Sequence, residues 1–161
     1  MMKNLSIKII PMTRSHIPAC ALIIASSEPW KTLRERLDFL PFIKKKQAYV
    51  AIIEDAVTGF VIFTSEPVFA RGGYLRAIAV APAIRGSGIG SKLLSFAERT
   101  TRKQAPNFYL CVSSFNKEGQ AFYRKSGYQM VGKLKDLIRK DASEHIYWKK
   151  LRLIKRMQPR S

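Results

Sequence analysis

Tyr74-Leu-Arg-Ala-Ile-Ala-Val-Ala-Pro-Ala-Ile-Arg85-Gly86-Ser-Gly88-Ile-Gly90-Ser-Lys-Leu-Leu-Ser-Phe-Ala-Glu98 is the stretch that decides the fold. Its apolar first part predicts a strand, the alternate glycines predict a tight turn, and the apolar spacing after Gly90 predicts an amphipathic helix. The N–H groups of the turn and of the first helical turn lack an internal partner, so they are available to anionic oxygens. The stretch therefore predicts a diphosphate-binding loop.

Two common phosphate-binding loops have a different spacing from this one. A nucleoside-triphosphate loop requires Gly-x-x-x-x-Gly-Lys-Ser/Thr, whereas here Lys92 follows Ser91. A dinucleotide fingerprint requires Gly-x-Gly-x-x-Gly, but the third glycine is missing after both Gly88 and Gly90. The spacing excludes both loops and leaves a glycine-rich connection without a ligand as the alternative.

Two blocks of the chain together resemble the GNAT superfamily of N-acetyltransferases. Arg-Gly-x-Gly-x-Gly after a strand ending Ile-Ala-Val-x-Pro is similar to that family's coenzyme A loop. Residues 110–128 look like its later Asn-x-x-Ala-x-x-x-Tyr-x-x-x-Gly-Phe/Tyr pattern through Asn116, Ala121, Tyr123 and Gly127, with a shorter gap before the tyrosine. The resemblance covers most of the chain. It extends to bacterial members without an assigned substrate, through Gly-Gly-Tyr before the fourth strand and Val-Ser-Ser-Phe-Asn after the fifth.

The order of the predicted elements indicates one α+β domain over residues 1–161. Strands interrupted by helices and flanked by antiparallel hairpins predict a mixed sheet, in which the strands starting at Tyr74 and Phe108 are parallel neighbours. The resemblance implies a three-layer fold with a mostly antiparallel sheet of about seven strands, about four helices, and a splay between the fourth and fifth strands. Residues 154–161 or so are expected to be a basic tail, with its flexibility left open.

Three connecting segments have local signals of their own. Residues 49–53 and 60–64 are apolar runs that predict a hairpin. Residues 66–73, with a proline and two glycines, are predicted to be a loop. Pro29 suits the first position of a helix, whose predicted buried side consists of Trp30, Leu33, Leu37 and Leu40.

Composition limits the cellular setting. With 161 residues and 47% hydrophobic residues, the chain is long and apolar enough for a sizeable core. Cys20 and Cys111 both lie in apolar stretches, which predicts buried thiols in a reducing compartment, and two histidines leave little for a metal site. Lys8 and Pro11 interrupt the apolar start, so neither a signal peptide nor a membrane span is predicted. We expect a cytoplasmic protein without a metal or a disulfide.

The net charge of +18, from 29 Lys and Arg against 11 Asp and Glu, exceeds what coenzyme A requires. The excess, densest at residues 44–46 and in the tail from Lys149 onwards, either faces RNA, a ribosome or an acidic acceptor, or is a solvated surface. Two hypotheses follow. The first is an acetyl-CoA-dependent N-acetyltransferase acting on a small-molecule or protein amine, and the second is a non-enzymatic RNA- or ribosome-binding module on the same fold.

Acetyl transfer from a thioester to an amine requires a neutral amine, a stabilised oxyanion and a protonated or hydrogen-bonded thiolate. The main-chain N–H of Val80 is the predicted oxyanion donor. The resemblance assigns Tyr123 to the tyrosine near the thioester sulfur, as general acid or as hydrogen-bond donor to the thiolate. Arg124 and Lys125 are expected to lower its pKa, and ordinary core packing is the alternative.

The general base is less well defined. Some family members that acetylate protein N-termini carry a glutamate on the fifth strand, where this chain has Cys111. Glu28, and Glu144 beside His145, are the candidate substitutes, and a chain of water molecules is a third route.

The remaining predicted contacts form two groups. The resemblance places pantetheine along the backbone of Ile78 and Val80, and Asn116 either binds pantetheine or caps a helix. Arg85 is the best candidate cation for the 3′-phosphate. The predicted walls of the acceptor pocket are Trp30, Tyr74 and Phe115. The predicted coenzyme A contacts are Ile78, Ala79, Val80, Arg85, Gly86, Ser87, Gly88, Ile89, Gly90, Ser91, Asn116, Tyr123 and Arg124.

Overall fold

The computed structural model describes residues 5–152, and within them one seven-stranded sheet forms the middle layer. All neighbouring strands are antiparallel except the fourth and fifth, which are parallel, so the predicted mixed sheet is confirmed. In spatial order the strands are β1 (Lys8–Pro11), β2 (Ala48–Ile53), β3 (Ala56–Phe69), β4 (Gly72–Val80), β5 (Asn107–Ser113), β7 (Ala142–Lys150) and β6 (Gln129–Arg139).

Helices cover both faces of this sheet, which confirms the three-layer fold. Cys20 and Trp30 pack with Phe60 on one face, and Leu93 and Tyr123 belong to the cluster on the other. No helix within residues 5–152 is long and apolar enough to cross a membrane. The described helices are α1 (Ile17–Ala25), α2 (Trp30–Leu33), α3 (Leu40–Lys44), α4 (Ile89–Thr101) and α5 (Lys117–Lys125).

The segment after Pro29 forms two short helices. The prediction of a single helix there is therefore wrong. Helix α2 ends at Leu33 because Arg34 takes a left-handed conformation with φ of 55°. Trp30 is buried as expected, and Phe39, between the two helices, is buried as well. The apolar residues of this segment thus reach the core from two short helices. The structure therefore has five α-helices within the described residues, where about four are predicted.

Residues 66–73 are mainly strand, which corrects the prediction of a loop. Strand β3 extends to Phe69 and β4 starts at Gly72, so only Ala70 and Arg71, with φ of 41° and 57°, form the turn. A side chain at Gly72 would collide with the ring of Tyr109. The glycine therefore reflects close packing against a neighbouring side chain and not a flexible connection.

Strand β4 carries a bulge at Arg76. In its pairing with β3, Leu75 lies opposite Phe63 and Ala77 lies opposite Ile62, which leaves Arg76 without a partner. A bulge bends a strand and increases its twist. It therefore directs the second half of β4 away from the line of the first half.

Both cysteines in the described part of the chain are free thiols. Cys20 is buried in the first helical layer, as predicted, whereas Cys111 on β5 is only half-buried. The predicted basic tail at about residues 154–161 lies outside the described residues.

Candidate active site

A cleft opens where β4 and β5 diverge. The two strands pair only as far as Leu75 and Leu110, although β4 continues to Val80 and β5 to Ser113. The predicted splay is therefore confirmed, and it begins directly before the bulge at Arg76. The cleft has a volume of about 1290 Å³, and its lining extends from the glycine loop to the hairpin of β6 and β7.

The open edge of β4 presents backbone N–H groups to this cleft. Just beyond β4, Ala81 N–H donates to the carbonyl oxygen of Thr58 at 2.9 Å, so this amide points towards β3. Successive amides of a strand point to opposite edges. The N–H groups of Val80 and Ile78 therefore point to the edge that β5 has left. The predicted oxyanion donor and the predicted pantetheine contact are both on this edge.

The glycine loop forms the end of the cleft that presents free backbone N–H groups. Gly86 and Gly88 have φ of 80° and 88°, a conformation that favours glycine, and nothing lies within 4 Å of a Cβ built on either. Gly88 caps α4 without a side-chain bond, and no acidic residue occupies the first helical turn. The N–H groups of Ile89, Gly90 and Ser91 thus lack a partner within the helix, and all three residues line the cleft. This arrangement fits a diphosphate.

The side chains of Ser87 and Arg85, two of the predicted coenzyme A contacts, make hydrogen bonds within the protein. The Ser87 hydroxyl donates to the Ile84 carbonyl oxygen, and Ser87 does not line the cleft. Arg85 Nε donates to Val80 O at 3.2 Å, and its Nη2 donates to Ser26 O at 2.9 Å and to Ser27 Oγ at 3.1 Å. Arg85 therefore ties the end of β4 to the segment after α1. It also lines the cleft, so its contact with a phosphate stays a prediction.

Tyr123 lines the cleft from α5 with an unbonded hydroxyl. The side chain is 8% exposed, and its hydroxyl makes no hydrogen bond to any residue in the described range. The rings of Phe122 and Tyr128 pack edge-on against it, with centroids at 5.1 and 5.8 Å. Burial, and then the nearby Tyr74, raise the pKa of Tyr123. The phenol therefore remains protonated near neutral pH and is available as a donor.

The expectation that Arg124 and Lys125 lower the pKa of Tyr123 is wrong in direction. Both cations are exposed, and Arg124 does not line the cleft, so solvent screens them from the buried phenol. Burial of the phenol therefore dominates its pKa.

Glu144 projects into the cleft from β7. The hydroxyl of Ser113, its cross-strand neighbour on β5, donates to Glu144 Oε1 at 2.6 Å. Burial raises the pKa of the half-buried Glu144 carboxyl, Ser113 and Arg76 lower it, and Glu35 raises it. The net pKa is raised, and a raised carboxyl pKa suits a general base near neutral pH. His145 follows on the opposite face of the strand.

Glu28, the other candidate base, also lines the cleft, but both of its oxygens are bonded. Its Oε1 accepts the Thr32 hydroxyl at 2.8 Å, and its Oε2 accepts the Thr32 N–H at 3.3 Å. Glu28 therefore stabilises α2. Of the two candidates, Glu144 has the more suitable surroundings for proton transfer.

Trp30 and Tyr74, two of the predicted walls of the acceptor pocket, line the cleft together with Cys111. The Tyr74 hydroxyl and the Cys111 thiol interact, and burial raises the pKa of both groups. Phe115 does not line the cleft, because the chain turns after β5, where Asn116 N–H donates to Ser113 O at 2.9 Å.

Sequence reasoning missed several cleft residues from the segment after α2, the β4 bulge, the end of β5 and strand β6. The one available signal was Arg76 itself, a charged residue inside the apolar run of β4, which indicates an irregularity in the strand. The others depend on strand pairing and had no local signal. The missed residues are Glu35, Arg76, Ser113, Leu137 and Ile138. Within residues 5–152, no group of three His, Cys, Asp or Glu side chains is placed to hold a metal ion.

Asn116 caps α5, and its oxygen accepts the N–H of Gly119 at 2.9 Å. We expect Asn116→Ala to lower the free energy of unfolding by about 1 kcal/mol, the usual cost of a lost cap. Urea denaturation measures this loss, and Asn116→Asp, which keeps the cap, is the control. An unchanged stability in the alanine variant would contradict the capping role.

A splayed parallel strand pair, with an anion-binding helix start at one end and a buried phenol facing the gap, defines a class of transferases that use an acyl-coenzyme A donor. The chain belongs to the acetyltransferase (GNAT) family, whose sequence profile matches residues 15–128. This confirms the resemblance seen in the sequence.

Individual relatives are similar to this chain at low sequence identity. The peptidyl-lysine N-acetyltransferase YjaB of Salmonella typhimurium is 30% identical over 97 residues, which are 60% of this chain and 57% of that protein. Ard1 from Thermoplasma volcanium is 20% identical with a TM-score of 0.76, over 90% of this chain and 97% of that one. Arabidopsis thaliana Naa50, in complex with the bisubstrate analogue CoA-Ac-MVNAL, is 18% identical with a TM-score of 0.74, over 91% and 100%.

Proposed function

We propose that this protein transfers the acetyl group of acetyl-CoA to a primary amine of a small molecule or a protein, by direct attack of the amine on the thioester. The observation that carries the proposal is the Tyr123 hydroxyl, which belongs to a side chain only 8% exposed and has no bond within the described chain. The ring is buried, but the hydroxyl itself is open to the cleft, where a ligand can replace water as its hydrogen-bond partner. A departing thiolate is such a ligand.

The donor substrate fits along β4. Its diphosphate would bind the N–H groups of residues 86–91, and pantetheine would follow the edge that carries the Ile78 and Val80 amides. Asn116 lines the same cleft. The thioester would then lie along this free edge of β4, within reach of the Val80 N–H.

Each step of the reaction has a candidate group. Glu144 takes one proton from the ammonium form of the acceptor, and a nitrogen–carbon bond forms as the neutral amine attacks the thioester carbonyl. The Val80 N–H stabilises the oxyanion. The carbon–sulfur bond then breaks while the nitrogen loses its second proton to solvent. The thiolate accepts a hydrogen bond from Tyr123, or a proton that the phenolate regains from solvent. The amine proton resides on Glu144 until solvent removes it.

The relatives agree with an amine acceptor. By its name, YjaB acts on peptidyl lysine, and the Naa50 structure contains a peptide analogue. A cleft that holds the glycine loop, Tyr123 and Glu144 favours an enzyme. The alternative, a non-enzymatic RNA- or ribosome-binding module, is supported only by the +18 charge. We infer that this protein also acetylates a primary amine, which belongs either to a small molecule or to a protein.

Ser91→Trp should weaken acetyl-CoA binding roughly 100-fold. Helical side chains lean towards the helix N-terminus, so the indole would cover the free N–H groups of α4. Loss of two charge-assisted hydrogen bonds of about 1.5 kcal/mol each gives this factor. Titration calorimetry measures the change. Lys92→Trp, at an exposed position that does not line the cleft, is the control.

Two results would count against the proposal at different levels. Absence of acetyl-CoA binding by the unmodified protein at high micromolar ligand would refute the acetyltransferase assignment. Undiminished binding by Ser91→Trp would remove the phosphate site from the glycine loop.

A further inference from the structure

Three buried polar side chains gather where β5 ends beside Glu144. Ser113, Gln120 and Ser143 are 1%, 4% and 5% exposed. Buried polar groups are costly unless their hydrogen bonds are made, so a cluster of them needs an explanation. The same cluster lies next to the candidate base of the cleft, and the reaction proposed above does not yet use it.

Hydrogen bonds join this cluster into one rigid unit. The Gln120 amide donates from α5 to the carbonyl oxygens of Ser113 and Ser114, at 3.2 and 3.1 Å. Ser114 N–H donates to Ser143 O at 2.8 Å, and Ser143 N–H donates back to Ser114 Oγ at 3.1 Å. The backbone of Ser113 is therefore fixed by a helix and by strand β7 together.

The fixed Ser113 hydroxyl has a single acceptor on the cleft side. It donates to Glu144 Oε1 at 2.6 Å, a short charge-assisted bond when the carboxyl is ionised. No residue in the described range donates a hydrogen bond to Glu144 Oε2. One oxygen of the carboxylate is thus held, and the other is left for a proton from the acceptor.

We propose that Ser113 is a positioning residue for Glu144, whose carboxylate it orients so that Oε2 accepts the amine proton. The inference rests on the proposed function, since it requires Glu144 as the base. Gln120 precedes Tyr123 by one helical turn on α5. One hydrogen-bonded unit therefore supports the group that takes the amine proton and the helix that carries the partner of the thiolate.

Other charged and titratable groups face Glu144 as well. They are Arg76 and Tyr74 of β4, Cys111 of β5, and Glu35 from the segment after α2. Burial and Glu35 raise the pKa of Glu144, whereas Ser113 and Arg76 lower it. Ser113 thus counteracts the effect of burial, which would otherwise leave more of the base protonated near neutral pH.

The test is the pH profile of kcat/KM. Ser113→Ala removes a donor to the ionised carboxylate, so its acidic limb should move to higher pH by about one unit, with roughly a ten-fold lower plateau. Ser113→Thr keeps the hydroxyl and should restore the original limb. Ser114→Ala is the matched control, because it alters the same cluster without touching Glu144.

A double-mutant cycle separates positioning from support of the fold. In a Glu144→Gln background, Ser113→Ala should leave the residual rate unchanged, because the group that it positions has gone. Thermal unfolding of every variant shows whether it is folded. If Ser113→Ala does not fold, Ser113→Cys, a weaker donor, should show the same direction of shift.

Failure of the inference is distinguishable from failure of the proposed function. If Glu144→Gln loses the acidic limb while Ser113→Ala or Ser113→Cys keeps it at its original pH, the positioning role is refuted and the base stands. If Ser113→Ala lowers the rate equally in both backgrounds, Ser113 is only structural. If Glu144→Gln retains the full rate and limb, the assignment of the base itself is refuted.

Discussion

Tyr123→Phe should lower kcat by roughly 100- to 1000-fold and change the KM for acetyl-CoA by about two-fold or less, the pattern expected for a group that acts on the leaving thiolate. The hydroxyl has no bond within the described chain, so its removal leaves the fold intact. Initial rates of thiol release give both constants. Thermal unfolding checks that stability is retained.

The raised pKa of Tyr123 decides how the phenol acts. Its ordinary pKa, near 10, already exceeds that of a thiol at about 8.5, and burial raises it further. Complete proton transfer to the thiolate is therefore uphill, and a hydrogen bond in the transition state is the expected contribution. We therefore expect that Tyr123→Phe leaves the shape of the pH profile between pH 6 and 9 unchanged.

Tyr128→Phe is the matched control for this prediction. Tyr128 packs against Tyr123, but its hydroxyl donates to Glu98 Oε1 at 3.0 Å, and Glu98 also pairs with Lys149 at 3.1 Å. Loss of this bond should lower stability by roughly 1 kcal/mol and leave kcat nearly unchanged. Equal losses of kcat and of acetyl-CoA affinity in Tyr123→Phe would instead indicate a structural role for that residue.

The half of the fold that begins at Tyr74 was predictable because its signals are local. Apolar alternation, three glycines and helical spacing occur within residues 74–98, and strand β4 and helix α4 form there as expected. Residues 66–73 and the single helix after Pro29 were predicted wrongly for the opposite reason. Gly72 is a glycine because it packs against Tyr109, and α2 ends because Arg34 adopts a left-handed conformation. Neither the contact of Gly72 nor the conformation of Arg34 can be recognised from the neighbouring sequence.

The candidate site divides in the same way. The glycine loop follows from spacing alone, whereas the choice between Glu28 and Glu144 depends on partners. Glu28 is bonded to a residue four positions later, and Glu144 is bonded to Ser113, which is 31 positions earlier and adjacent only through strand pairing. Arg85 illustrates the same limit, because its partners in the segment after α1 lie 58 and 59 positions away.

Glu144→Gln should lower kcat/KM by roughly 100- to 1000-fold at neutral pH, as expected for loss of a general base. The carboxyl acts in its ionised form, and burial raises its pKa, so the activity of the unmodified enzyme rises as the pH increases through that pKa. The glutamine variant has no such titration, and this acidic limb should disappear. Rates of thiol release across the pH range measure both effects.

Glu28→Gln is the control, since Glu28 lines the same cleft but is bonded to Thr32. It should retain the acidic limb and lose only a little stability, because an amide oxygen still accepts one of the two bonds. Loss of the limb in Glu28→Gln but not in Glu144→Gln would reverse the assignment of the base.

The residual activity of Glu144→Gln also depends on the acceptor, because an amine that is already neutral needs no base before it attacks. An α-amine, with a pKa near 8, is largely neutral at pH 9, whereas a lysine side chain near 10.4 is not. Raising the pH to 9 should therefore restore most of the lost rate with an α-amine acceptor and only about one twenty-fifth with lysine. A rate that stays low with both acceptors would show that Glu144 orients the amine and does not merely deprotonate it.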